Sequence, residues 1–257
     1  MIAGTEVIIL HAIDYGDSSK IVTMYSKEYG KIKVVAKGAR NMKSSKFGSS
    51  LEPLAHSSII LYKKENRTLH LLSKSEIVRP LVKIHDNADK MFTGLALIEL
   101  VNMVMHDEEK NIEIFELLSV ALRTINEAEK NFINVFISFE LKLFANFGFG
   151  MTLSVCDRCG RETETAEFDS VMLRLSDGKF VCADCARGNS PGGLQLRGGI
   201  IRSLHFLQSN DISRVCSLQI SPIARDEALA TLQSYLRYHI EGTRTLQSFS
   251  LLYTNNK

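Results

Sequence analysis

The chain has 257 residues, 45% of them hydrophobic and 23% charged. These proportions fit a globular protein of two or three domains and exclude a disordered chain. A mean hydropathy of −0.01, with no apolar stretch approaching the ~20 residues of a span, excludes a helical membrane protein. The net charge of +2 hides an asymmetry: residues 1–79 carry 13 Lys+Arg against 7 Asp+Glu, leaving 18 against 22 for the rest. A basic front points to a polyanionic partner, with a merely solvated basic face as the plain alternative. The start has no basic n-region and no long apolar run, so no signal peptide is expected. The five cysteines are therefore expected to be metal ligands or free thiols.

The first 80 residues read as strands. Thr5 to Ile13, Lys20 to Tyr25, Lys31 to Ala36, Ser57 to Tyr62 and Thr68 to Leu72 are short β-branched runs, and Gly30 suits a hairpin turn. Five strands in this space predict a small closed barrel of OB-fold type, with an SH3-like barrel as the alternative. Near Arg79-Pro80 the period changes. Asn87 to Met105, Ile112 to Ile125 and Phe132 to Phe147 repeat apolar residues three or four apart, and Gly148-Phe149-Gly150 stops the third helix. Residues 151–190 break the pattern. Helices resume after Pro191-Gly192-Gly193, the last opening at Ser221-Pro222. The expected architecture is α+β and multidomain: an OB-fold barrel over 1–80, then a helical bundle in two parts, 81–150 and 191–257, with a zinc ribbon embedded at 151–190.

Cys156-x-x-Cys159 and Cys182-x-x-Cys185 carry the strongest chemical signal. Two such knuckles, 22 residues apart, can set four thiolates tetrahedrally around one structural zinc ion. Ala166-Glu167-Phe168 and Val171 to Leu175 are read as short strands of the ribbon, with Ser176-Asp177-Gly178-Lys179 as a turn. Redox dithiols, or knuckles that work without metal, are the alternatives. Cys216 lies outside the pattern and is expected to be a buried free thiol. His106-Asp107-Glu108 imitates the H-x-E of zinc deaminases, but Val155 and Val181 stand where that signature wants proline, and the second cysteine pair would have no role. No Gly-rich phosphate loop and no G-x-S-x-G is present. His70, on an alternating strand, reads as structural. A non-enzymatic protein is expected.

Lys20, Lys27, Lys31, Lys33, Lys37, Arg40, Lys43 and Lys46 give eight cations in 27 residues against the single acid Glu28. Lys31 and Lys33 share a strand face. Lys20, Lys31, Lys33, Lys37, Arg40, Lys43 and Lys46 are the candidate nucleic-acid contacts, able to track phosphates without reading base edges. Tyr15, Tyr25, Tyr29 and Phe47 are candidate stacking platforms, Tyr25 being the one best suited to a barrel core.

Three segments, Asp14-Tyr15-Gly16-Asp17-Ser18-Ser19-Lys20-Ile21-Val22-Thr23, Glu28-Tyr29-Gly30-Lys31 and Val35-Ala36-Lys37-Gly38-Ala39-Arg40, together resemble the N-terminal signature of the RecO family of bacterial recombination mediators. Leu236-Arg237-Tyr238-His239 with Gly242-Thr243-Arg244-Thr245-Leu246-Gln247-Ser248 resembles that family's C-terminal segment. Gln247 departs from the Lys expected in many members. The tetra-cysteine insert suits the zinc-bearing branch. The resemblance implies an OB-fold, a helical domain and a zinc ribbon. It implies binding of single- and double-stranded DNA, strand annealing, and work with RecR and the C-terminal tail of single-strand-binding protein, which together help load RecA. It also implies a cytoplasmic bacterial protein that joins the nucleoid during repair. Arg123, Lys130 and Lys142 are the candidate cations for that acidic tail. The alternative is an OB-fold and zinc-ribbon protein of transcription or translation that binds RNA.

Overall fold

The computed structural model describes residues 1–41, 46–63, 67–187 and 193–249. Five strands, β1 (Ile2–Tyr15), β2 (Ser19–Ser26), β3 (Gly30–Ala36), β4 (His56–Tyr62) and β5 (Leu69–Arg79), close a barrel in the order β1-β2-β3-β5-β4. β1 is long because it serves two neighbours: Ile2–Ile8 pair with β4, and Val7–Tyr15 pair with β2. A bulge between Ile9 and His11 bends it from one to the other. Lys33–Val35 close the barrel in parallel with Leu69–Leu71. This is the Greek-key barrel of the OB-fold. Val7, Ile9, Val22, Met24, Ile32, Val34, Ile59, Leu61 and Leu72 fill its interior. β5 runs on to Arg79, well past the Leu72 expected from the sequence, because it stays paired to β4 through a bulge near Leu61.

Helices α1 (Val82–His85), α2 (Ala88–Val104) and α3 (Ile112–Glu127) follow. Asn87 caps α2, its side chain accepting from the Lys90 amide. One outer side of the barrel packs on these helices. The Phe115 ring lies 6.5 Å from Tyr25 and 5.8 Å, edge-on, from His56. The Tyr25 hydroxyl donates to the Asn111 carbonyl.

The chain divides into two compact units: Met1–Glu127 together with the segment from Leu246, and Ala128–Thr245. The returning segment is held by Glu99 of α2. Its carboxylate accepts from the Gln247 amide at 2.9 Å, the Ser248 amide at 3.0 Å and the Ser248 hydroxyl at 2.7 Å.

The second unit is built on α4 (Phe132–Asn146), β6 (Ser170–Leu173), β7 (Phe180–Cys182), α5 (Ala183–Ala186), β8 (Leu194–Arg197), α6 (Gly198–Ser209) and α7 (Pro222–His239). α4 is buried on every side. Its Asn134 amide donates to the Val215 and Leu218 carbonyls, and Ser138 donates to Leu207. Ser221 caps α7 with Pro222 behind it, as the sequence predicts. The small sheet differs from expectation. Ala166–Phe168 is not a strand: Phe168 packs edge-on against Phe180 at 5.6 Å instead of pairing through its backbone. The third strand is β8, which pairs with β6 in the order β7-β6-β8. Cys216 is half-buried rather than buried, on a short 3-10 turn. Among the described residues no helix is long and apolar enough to cross a membrane.

Candidate metal centre and nucleic-acid interface

Cys156 and Cys159 sit on a tight knuckle. The Cys156 amide donates to the Arg161 carbonyl at 2.9 Å, the Gly160 amide donates back to the Cys156 carbonyl at 2.9 Å, and Gly160 takes φ +69. Gly160, left-handed just after the second ligand, lets the chain turn back sharply at the knuckle. Cys182 ends β7 and Cys185 follows one turn later on α5. The four Sγ atoms lie within 4.8 Å of one another, and Cys159 and Cys182 are 3.9 Å apart. A tetrahedral zinc–thiolate site has sulfurs about 3.8 Å apart, so the four thiols can hold a metal ion of that kind.

The surroundings favour the thiolate at Cys159, while the neighbouring cysteines push the Cys185 thiol up to about 12. The Arg161 guanidinium donates to Cys159 Sγ at 3.4 Å, to Cys182 Sγ at 3.0 Å and to the Asp184 carboxylate at 2.7 Å. The Cys182 amide donates to Cys156 Sγ at 3.3 Å. The Arg161 contact brings the Cys159 thiol down to about 6. Outside the cluster, Arg174 bridges Asp157 and Asp177, both at 2.7 Å, tying the first knuckle to the β6–β7 turn. His106, Asp107 and Glu108 belong to the first unit and the four cysteines to the second. The two carboxylates pair with lysines there: Asp107 with Lys31 and Lys33, and Glu108 with Lys63.

On the barrel, strand register sets apolar residues of neighbouring strands side by side around the outside, β1 supplying two of them. Ile13 lies opposite Ile21, Ile21 opposite Val35, Val35 beside Leu71, Leu71 opposite Tyr62, and Tyr62 opposite Ile2. Their chain neighbours Ala12, Val22, Val34, Leu72, Leu61 and Ala3 belong to the interior, so the two-residue period turns this belt outward. Ile13 is 48%, Tyr62 44% and Ile2 66% exposed, while Ile21, Val35 and Leu71 are half-buried. On β3 the belt's Val35 shares its face with Lys33, and exposed Lys37 follows just past the strand end.

The predicted cations are divided among three surroundings. Lys37, Arg40 and Lys46 are exposed. Arg40 ties its loop to the β1–β2 turn: its guanidinium pairs with Asp14 at 3.3 Å and donates to the Gly16 carbonyl, and its amide donates to Ser18. Lys43 lies outside the described residues. Lys20 pairs with Glu52 at 2.8 Å. Lys31 and Lys33 face Asp107, at 3.6 and 3.0 Å, and Lys31 also donates to the Asn102 carbonyl.

Of the predicted stacking residues, Tyr15 is 53% exposed, whereas Tyr25 and Phe47 are buried and Tyr29 is half-buried against the barrel core. Arg123 lies on α3 in the first unit, Lys130 and Lys142 in the second. Lys142 donates to the Gln208 carbonyl, and burial lowers its pKa. Neither the belt nor the Arg161 contact is legible in the sequence. Alternation shows which residues face outward, but only register shows that six of them adjoin.

Two family models match the chain: "Recombination protein O N terminal" over residues 1–81 and "Recombination protein O C terminal" over 85–247. The chain is similar to the DNA repair protein RecO of Salinibacter ruber, at 32% identity over 98% of this chain and 93% of that protein. It is similar to the RecO proteins of Chloroherpeton thalassium, at 28% identity over 96% of each chain, and of Chlorobium limicola, at 30% identity over 95% of this chain and 94% of that protein.

Proposed function

The chain belongs to the recombination protein O family, and on that premise we propose that it is a non-enzymatic mediator that holds DNA on the outer face of its barrel. The observation that carries this reading is β3, where the outward Val35 of the apolar belt shares its face with Lys33 and exposed Lys37 follows past the strand end. Unpaired bases offer apolar faces and phosphates offer charge, and single-strand binders answer both with apolar platforms beside cations. Tyr15, Ile13 and Tyr62 supply the exposed platforms. Lys37, Arg40 and Lys46 supply phosphate contacts that release counterions whatever the sequence. Duplex DNA meets the same cations through its backbone alone.

Annealing follows from the same surface. Two strands whose phosphates are neutralised repel less, and base pairing then supplies the driving force without nucleotide hydrolysis. RecR, RecA and the acidic tail of single-strand-binding protein are the partners that this reading calls for. The four-cysteine cluster holds one zinc ion in a structural role, since its four thiolates leave no open position for water.

The test is annealing of complementary oligonucleotides, naked and coated with single-strand-binding protein. The wild type is expected to accelerate both reactions, and Lys37→Ala/Arg40→Ala/Lys46→Ala to slow them at unchanged folding. A wild type that binds RNA but leaves DNA strands unannealed would sink the reading.

A further inference from the structure

We propose that Lys33 and Lys63 form a second phosphate-binding site on the barrel, held in check by the chain's own acidic loop, whose Asp107 and Glu108 carboxylates occupy it as stand-ins for phosphate. The inference rests on the DNA-binding reading of the barrel given above.

The loop between α2 and α3 lies along the start of β3. Asp107 bridges to Lys31, and the Glu108 amide donates to the Lys31 carbonyl at 2.8 Å. Glu108 holds a left-handed backbone at φ +58, unusual for a residue with a side chain. That turn lets two successive carboxylates reach two different cations. Asp107 takes Lys33 at 3.0 Å, and Glu108 takes Lys63 at 2.7 Å and faces His70 at 3.4 Å. Lys33 stands on strand 3 and Lys63 opens the β4–β5 connection, both regions with which OB-folds meet oligonucleotides.

The backbone of the loop is tied to β3 by the Glu108–Lys31 hydrogen bond and rests directly on the β2–β3 turn, where a Cβ on Gly30 would come within 2.1 Å of the Glu109 carbonyl oxygen. The Asp107 and Glu108 side chains are 41% and 42% exposed, Lys33 is 43% exposed, and Lys63, 5.3 Å from the Tyr29 ring centroid, is 22% exposed. Exposed pairs of this kind are weak and exchange partners readily. A phosphate can replace a carboxylate on Lys33 or Lys63 by side-chain rotation alone. The loop therefore acts as an intramolecular competitor that lowers DNA affinity and flattens its salt dependence.

The test is a double-mutant cycle read by DNA affinity across a salt series, with melting as the control for folding. Asp107→Asn and Glu108→Gln keep the shape and remove the charge. Each is expected to tighten binding and to steepen the log–log salt slope, by about 0.7 on single strands and about 0.9 on duplex. The gain from Asp107→Asn should vanish in a Lys33→Ala background, and that from Glu108→Gln in a Lys63→Ala background. Asp86→Asn removes the same charge from an exposed turn elsewhere in the unit and should steepen the slope less. Folded variants that bind no tighter overturn the proposal, as does a gain that survives loss of the paired lysine, which would mark a general charge effect. If binding is instead insensitive to Lys37, Arg40 and Lys46 but the two cycles behave as stated, the earlier reading is wrong about where DNA lies and this site stands. A protein that binds no DNA in any form overturns both.

Discussion

The guanidinium of Arg161 and the sulfur of Cys182 lie 3.0 Å apart, although the two residues come from opposite knuckles of the cysteine cluster. Four thiolates on a divalent ion leave a charge of −2, and Arg161 offsets part of it while also anchoring Asp184. The purified protein is expected to hold one zinc per chain. Cys156→Ser or Cys182→Ser should unfold the insert, because metal binding and folding are coupled there. Arg161→Ala should keep the metal but release it to a chelator ~10-fold faster or more. Elemental analysis and a colorimetric zinc-release assay check both, and fresh reduced protein without metal would remove the claim.

Replacing Lys37, Arg40 and Lys46 together by alanine should weaken DNA binding about equally for all sequences. Each lost phosphate contact should reduce the single-strand salt slope by about 0.7. Fluorescence anisotropy on oligonucleotides of unrelated sequence measures this, and an unchanged slope places the DNA elsewhere.

Glu140 is buried on α4, and that burial pushes its carboxyl up to about 8. The unfolded chain ionises it near 4.3. Its folded pKa is raised, so its contribution to stability is fully present below about pH 4 and is lost as pH rises towards 8. Glu140→Gln should remove that loss, a gain of the order of a few kcal/mol at pH 8 and little at pH 4. Denaturant melts at the two pH values decide it, and an equal effect at both would show that the carboxyl is ionised when folded.

Gly30 closes the β2–β3 turn at φ +65, against the Glu109 backbone. Gly30→Ala combines a left-handed alanine, about 1 kcal/mol or more, with a displacement of the acidic loop. A melting temperature lowered by several degrees is expected, together with DNA binding closer to that of Asp107→Asn. Wild-type stability in the variant would mean that the loop yields easily.

Much of this structure is legible in the sequence where a local rule decides it. β-Branched runs place the five strands, three-and-four spacing places α2, α3 and α4, Ser221-Pro222 marks the start of α7, and paired CxxC spacing gathers the four thiols. What escapes is long-range. Nothing near Lys31 or Lys33 indicates that Asp107, more than 70 residues on, meets them, so a run of cations reads as one surface when its described members have different surroundings. β8 escapes because a four-residue strand is recognised by its partner β6 and not by its own composition. The change of period at Arg79-Pro80 marks where strands give way to helices, whereas the chain's packing divides after Glu127.

The hold of Glu99 on Gln247 and Ser248 ties the order of assembly to the order of synthesis. Domains form as the chain emerges, N-terminal parts first. The barrel and its helices can collapse early, but the carboxylate of Glu99 keeps only water for company until the whole second unit has been made and residues 246–248 follow it out. The first unit to begin folding is thus the last to be completed. A chain cut short just before Leu246 would leave its defect on α2 beside the barrel, far upstream of the lesion in the message.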